Sequence, residues 1–147
     1  MEYVEVLKHL APCGLDCGRC ADYESGEIRE LSARLLELLT GYQRVARMKA
    51  AAHPEFADYE HFEKILAFFS RGACGGCRSD NVRCFVTCAA RTCHRERGVD
   101  FCFQCPDYPC DKEFFAPLKK NWRIRNDRMK EIGVVEYFNE YRKMPRY

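Results

Sequence analysis

No stretch of the 147 residues approaches the roughly 18 consecutive apolar positions that a membrane-spanning helix requires, so a soluble protein is expected. Net charge is nearly absent too: 24 Lys and Arg against 22 Asp and Glu leave +2, too little to suggest a nucleic-acid binder. No internal repeat or low-complexity segment occurs, which argues against a solenoid or a disordered linker. The amino terminus, Met1 to His9, carries Glu2 and Glu5 and lacks a continuous apolar region. A signal peptide is therefore not expected, and the cytoplasm is the expected compartment.

What the chain has in abundance is cysteine, eleven in all. In a reducing compartment structural disulfides are rare, and an odd count fits complete pairing poorly, so dense cysteine reads first as metal ligation or redox chemistry. The thiols fall in two groups: Cys13, Cys17 and Cys20, then Cys74, Cys77, Cys84, Cys88, Cys93, Cys102, Cys105 and Cys110. Two Cys-x2-Cys pairs stand out in the second group. Cys74-Gly75-Gly76-Cys77 places glycine where such a turn often needs a positive φ, and Cys102-Phe103-Gln104-Cys105 repeats the spacing. Two such turns supply four thiolates, the closed tetrahedral shell that structural zinc prefers. Eight later cysteines fill two sites. Adding the first trio and one of His9, His53, His61 or His94 allows a third, with His94, beside Cys93, the preferred nitrogen although a solvated histidine is the simpler reading. All eleven cysteines are candidate ligands, and spacing alone does not partition them.

Between the groups, Ile28, Leu31, Leu35, Leu38, Leu39, Tyr42 and Val45 recur at helical steps, predicting an amphipathic helix with one buried stripe, Ser25 as cap and a break near Gly41. His53-Pro54 predicts a turn. A second helix follows, with Asp58 as cap and Phe62, Ile65, Leu66 and Phe69 as its core face, stopping at Gly72. Residues 74–110 read as irregular, with strand pieces such as Phe101-Cys102-Phe103. Trp122 to Ile132 predicts a helix ended by Gly133, and Val134 to Tyr141 another, with Tyr137, Phe138 and Tyr141 buried.

The segments Cys13-Gly14-Leu15-Asp16-Cys17-Gly18-Arg19-Cys20, Cys74-Gly75-Gly76-Cys77-Arg78 and Cys102-Phe103-Gln104-Cys105-Pro106-Asp107-Tyr108-Pro109-Cys110 together resemble the cysteine-rich domain-of-unknown-function family 3795. Cys93 with Glu96-Arg97-Gly98-Val99 is similar to that family's middle segment. The resemblance spans most of the chain and implies a metal-binding domain of bacteria and archaea, with no reaction attached. Cys84-x3-Cys88 departs from the expected two-residue gap, which makes Cys84 the less certain ligand.

Sharper chemistries fit less well. Cys13-x3-Cys17-x2-Cys20 has the spacing of radical S-adenosylmethionine enzymes, but a complete barrel takes about 200 residues or more, and the motif lacks the aromatic residue before its last cysteine. Neither ferredoxin spacing occurs, yet thiolate type alone does not separate zinc from an iron–sulfur cluster, which is the runner-up. His61-Phe62-Glu63 before Cys74 suggests a zinc deaminase, but position 73 is alanine and Glu63 reads as a solvated helix residue. Covalent haem attachment through Cys93-His94 would need a cysteine at position 90, which is alanine. If some thiols are unligated, Cys17 and Cys20 near Arg19 are the best redox or sensor candidates. Lys119, Lys120, Arg123, Arg125, Arg128 and Lys130 around Trp122 could meet nucleic acid, but Asp127, Glu131, Glu136 and Glu140 interleave with them, and Trp122 reads as core.

The expectation is a single domain over 1–147, mainly α with a small α+β arrangement as the alternative, its helices packed around an irregular cysteine-rich centre. Residues 11–22 and 72–112 form the metal module, 24–70 a helical insertion and 113–147 a helical tail. No catalytic residue is assigned; a zinc-holding binding or scaffold module is expected, with an unidentified protein as partner.

Overall fold

The computed structural model describes residues 1–112 and 116–147 and is mainly helical. Residues 113–115, at the head of the expected tail, lie outside the described residues. In chain order the helices are α1 (Tyr3–His9), α2 (Glu27–Leu38), α3 (Gln43–Lys49), α4 (Tyr59–Phe69), α5 (Ala90–Arg97), α6 (Ala116–Ile132) and α7 (Val134–Arg142), with short 3-10 helices at Pro54–Asp58 and Cys102–Gln104. Extended pairing among the described residues consists of two isolated bridges, Leu10 with Asp16 and Tyr23 with Cys74. No helix among the described residues is long and apolar enough to cross a membrane.

Local chemistry sets most of these boundaries. Gly41 takes φ +80, a left-handed conformation that ends the first helical run and separates α2 from α3. Gly133, at φ +86, separates α6 from α7 in the same way. Pro54 opens a 3-10 turn after an extended His53, and Asp58 stands at the cap position of α4 without a side-chain bond. Ser25 is not the cap of α2. The extended Gly26 occupies that position, its own N–H already donated to the Tyr23 carbonyl at 3.1 Å.

The core is built by α1, α6 and α7: Val6, Leu10, Phe101, Met129, Val134, Tyr137 and Phe138 form one buried cluster. Trp122 is also buried, as expected of a core residue. Phe101-Cys102-Phe103 is not a strand. The Gln104 side-chain oxygen accepts the N–H groups of Asp100 and Phe101, at 3.0 and 2.9 Å, and winds the segment into a 3-10 turn.

The helical insertion differs from its expected form. α2 and α4 run antiparallel. At one end both are tied to the Tyr23–Cys74 bridge, through Cys74 N–H to Asp22 O at 2.9 Å and Glu24 N–H to Cys74 O at 3.0 Å; at the other, the Tyr42 and Tyr59 rings meet at a 49° tilt with centroids 5.4 Å apart. Their mutual contact buries Ser32, Tyr59 and Leu66, whereas Leu31, Leu35, Leu38, Val45, Phe62 and Ile65, expected in the core, are exposed. Each apolar stripe is wider than one helix–helix contact can cover.

Candidate metal centre

The first cysteine segment is a tight loop held from behind by the carboxy-terminal helices. Beyond α1 the chain turns through Gly14, at φ +80, with Ala11 N–H donating to Leu15 O at 2.8 Å and Cys17 N–H to His9 O at 2.8 Å. A Cβ on Gly14 would come within 3.0 Å of Arg125 Cβ, so only glycine lets this loop lie against α6. The buried Tyr137 hydroxyl donates to the Gly14 carbonyl at 2.8 Å, and Arg125 Nε donates to the Cys13 carbonyl at 3.2 Å. Asp16, 1% exposed, accepts from Arg19 Nε at 2.8 Å, while Arg146 Nε donates to its carbonyl at 3.0 Å.

The second segment meets this loop edge on. Cys74, Gly75, Gly76 and Cys77 form a turn in which Gly76 has φ +85, the positive value expected of the Cys-Gly-Gly-Cys spacing. A Cβ added there would lie 3.6 Å from Cys17 Cβ, so the two cysteine segments touch. Both the Cys77 thiol and its backbone N–H donate to the Cys17 sulfur, and with the Arg146 charge they bring that thiol down to about 7. The Cys77 thiol is driven up in turn, because it is the hydrogen donor to Cys17 and is itself mostly buried beside Cys13 and Cys84. Arg19, expected to activate Cys17, instead donates to Asp16 and to the carbonyls of Met144 and Tyr141, at 2.8 and 2.9 Å. The Cys74 sulfur accepts the Arg83 backbone N–H at 3.3 Å.

Arg78 pins these pieces together. Its guanidinium donates to Leu10 O at 2.8 Å and Asp100 O at 2.6 Å, and it lies 4.8 Å from the Phe101 ring centroid. One side chain thus bridges the end of α1, the Cys-Gly-Gly-Cys turn and the last cysteine segment. Nothing in the spacing of cysteines signals this role; only the position of an arginine directly after Cys77 does.

Cys20 stays with the first loop, its N–H donating to Cys17 O at 3.0 Å, and the later thiols lie about α5, a helix that the sequence reading did not anticipate because its Ala-Arg-Thr-Cys-His-Arg-Glu-Arg run has no apolar stripe. Cys88 sits just before it, and Arg91 donates back to the Cys84 carbonyl at 3.0 Å. Cys93 projects from α5 and its sulfur accepts from Lys112 Nζ at 3.1 Å. Cys102 is tied to the first loop by its N–H donating to Pro12 O at 3.1 Å. A cavity of about 30 Å³ is lined by Cys93, His94, Cys102, Cys105, Cys110 and Lys112 among others. Burial pushes the Cys102 thiol up to about 12, against the opposing effect of the Trp122 indole beside it, and burial also raises Cys13 and Cys88.

His94 is buried rather than solvated. Its Nδ1 lies 2.7 Å from the Ala90 carbonyl, which can only accept, so Nδ1 carries the hydrogen and Nε2 holds the lone pair. Burial lowers its pKa and favours this neutral ring. Histidines His53 and His61 are exposed on the insertion, near Glu55 and Asp58. Glu63, read as a solvated residue, is half-buried and accepts from Gln43 on the same insertion. His9 stacks on Phe138, with centroids 5.6 Å apart.

All eleven cysteines are free thiols, with no disulfide joining any pair. In ligand type, in the turn at Gly76, in the N–H···S bond to Cys74 and in the cavity beside His94, the residues suit a thiolate-bound metal. Among the described residues, however, no three His, Cys, Asp or Glu side chains converge on a point that one ion could occupy. Cys17 meets Cys77 across the two groups.

In the basic tail, Arg125 is buried at the first loop, Arg128 pairs with Glu140 and Glu131 at 2.9 Å each, and Arg123 lies 3.7 Å from Asp127. Lys119 and Lys120 are exposed.

A family model described as Protein of unknown function (DUF3795) matches residues 9–114, a span that contains every cysteine. No curated protein and no solved structure matches the chain.

Proposed function

The chain belongs to the DUF3795 family of proteins of unknown function, and we propose that it is a cysteine-ligated metal protein, with zinc as its resident ion, acting as a rigid binding scaffold rather than as an enzyme. The observation that carries this reading is the junction of Cys17 with the Cys74–Cys77 turn, where thiols from segments separated by a whole helical insertion share one hydrogen-bonded contact. Two loops with little apolar content of their own gain from a bound ion because no preformed site exists in the unfolded chain, so ligand assembly adds directly to folding free energy. Zinc neutralises the repulsion that several adjacent thiolates would otherwise create, and Arg78, Arg125 and Arg146 around the first loop reduce it further. The small cavity beside Cys93, Cys102, Cys105 and Cys110 is the place for a second ion. His94, with Nδ1 held by Ala90 and Nε2 unprotonated, is equipped as a nitrogen ligand there. The protein works in the cytoplasm, where thiols remain reduced.

Protein purified without oxygen and without added metal tests this by elemental analysis and a visible spectrum. A colourless sample with at least one zinc per chain is expected. A brown, iron-containing sample would replace zinc by an iron–sulfur cluster and move the function to electron transfer or sensing. A sample with neither metal would overturn the metal reading altogether.

A further inference from the structure

The apolar surface of the helical insertion is large and regularly spaced. Leu31, Leu35 and Leu38 follow one another at four- and three-residue steps along α2, and Phe62, Ile65 and Phe68 line one flank of α4; all six are between 39% and 66% exposed. On each helix the stripe lies counter-clockwise of the buried face when viewed from its own amino terminus. Because α2 and α4 are antiparallel, that common sense of rotation places both stripes on the same side of the hairpin, as one continuous patch. Taking roughly 200 Å² for each side chain, the exposed part amounts to about 600 Å². That is at the upper limit of what monomeric proteins usually leave open.

We propose that this patch is a homodimer interface, in which the α2–α4 hairpins of two chains pack face to face as an antiparallel four-helix bundle. Two arguments favour a second copy as the occupant. The first is area: the patch with its rim approaches the roughly 800 Å² per partner of a specific, stable interface. The second is charge. On α2, Arg34 pairs with Glu37 at 2.7 Å, which leaves Glu27 and Glu30 at its amino end in excess; on α4, Lys64 pairs with Glu60 at 2.7 Å, which leaves Arg71, just beyond its carboxyl end, in excess. A two-fold axis parallel to the helices sets α2 of one chain over α4 of the other, so the acidic rim meets the basic rim twice. An axis across the helices would set like rims together. The same arrangement alternates helix direction around the bundle, the up-and-down order of four-helix bundles. The metal centre stays outside the interface, at the bridge end of each hairpin.

The test is the solution mass of the full chain, as purified, by light scattering on a sizing column. Twice the 17.2 kDa chain mass is expected. The double substitution Leu31→Gln with Ile65→Gln should return the monomer mass with the far-UV circular dichroism unchanged, since both side chains are already exposed in the single chain. Val4→Gln, exposed on α1, should leave the dimer intact. Reversing one rim by Lys64→Glu should raise the dimer dissociation constant at low salt, and adding Glu30→Lys should recover part of the loss. A wild-type protein that stays monomeric well above micromolar concentration overturns the proposal and leaves the face to a different protein. A dimer that survives the double substitution in a folded chain overturns it equally.

Discussion

Gly76 and Arg78 show how the cysteines are positioned by groups that are not candidate ligands. Gly76, at φ +85, turns the chain so that Cys77 faces Cys17, and a Cβ there would meet only ordinary contacts. Gly76→Ala should therefore cost about 1–2 kcal/mol through backbone strain rather than collision, read as a lower urea midpoint with unchanged slope. Cys17 and Cys77 share one contact. If they serve the same ion, Cys17→Ser and Cys77→Ser should each lower bound metal by the same amount, and the double variant should lower it no further. Additive losses would assign them to separate sites. Arg78, which reaches both Leu10 O and Asp100 O, joins the end of α1, the Cys-Gly-Gly-Cys turn and the last cysteine segment.

At the scale of elements, α6 and α7 act as the backing plate of the first cysteine loop. Tyr137 lies in the core and donates its hydroxyl to Gly14 O in the first cysteine loop. Tyr137→Phe should cost about 1 kcal/mol in chemical unfolding, the net value of one such bond. Phe138, fully packed among Val6, Leu10 and Met129, should cost about 3–5 kcal/mol as Phe138→Ala, because the cavity left behind adds to the lost burial. Much of this framework is legible in the sequence: Gly41 and Gly133 punctuate the helices, Pro54 opens a turn, and Tyr137 and Phe138 are buried where helical spacing places them. The insertion is where the reading fails. Periodicity reveals that Leu31, Leu35, Leu38, Phe62 and Ile65 share faces, but not whether anything within the chain covers those faces. α5 was illegible for the opposite reason, since its polar sequence carries no stripe and it is closed only by Gly98 at φ +62.

At the scale of the whole molecule, the chain combines a helical hairpin, a core of α1, α6 and α7, and cysteine loops that supply few apolar contacts of their own. Metal removal should therefore act unevenly. With a strong zinc chelator, amide hydrogen exchange should accelerate first over residues 74–110, while α2 and α4 keep their protection. Uniform acceleration across the chain would show that the loops and the hairpin unfold as one unit. The cysteine pattern made the meeting of the two groups legible, through the Gly-Gly turn at Gly76 that touches Cys17. Sharing of sulfurs between ions was not, because it depends on side-chain directions set by distant anchors such as Arg78, Tyr137 and Arg125. X-ray absorption at the zinc edge of the purified protein tests the central claim most directly. The account predicts a first shell dominated by sulfur at about 2.3 Å. A shell of only nitrogen and oxygen, near 2.0 Å, would contradict it.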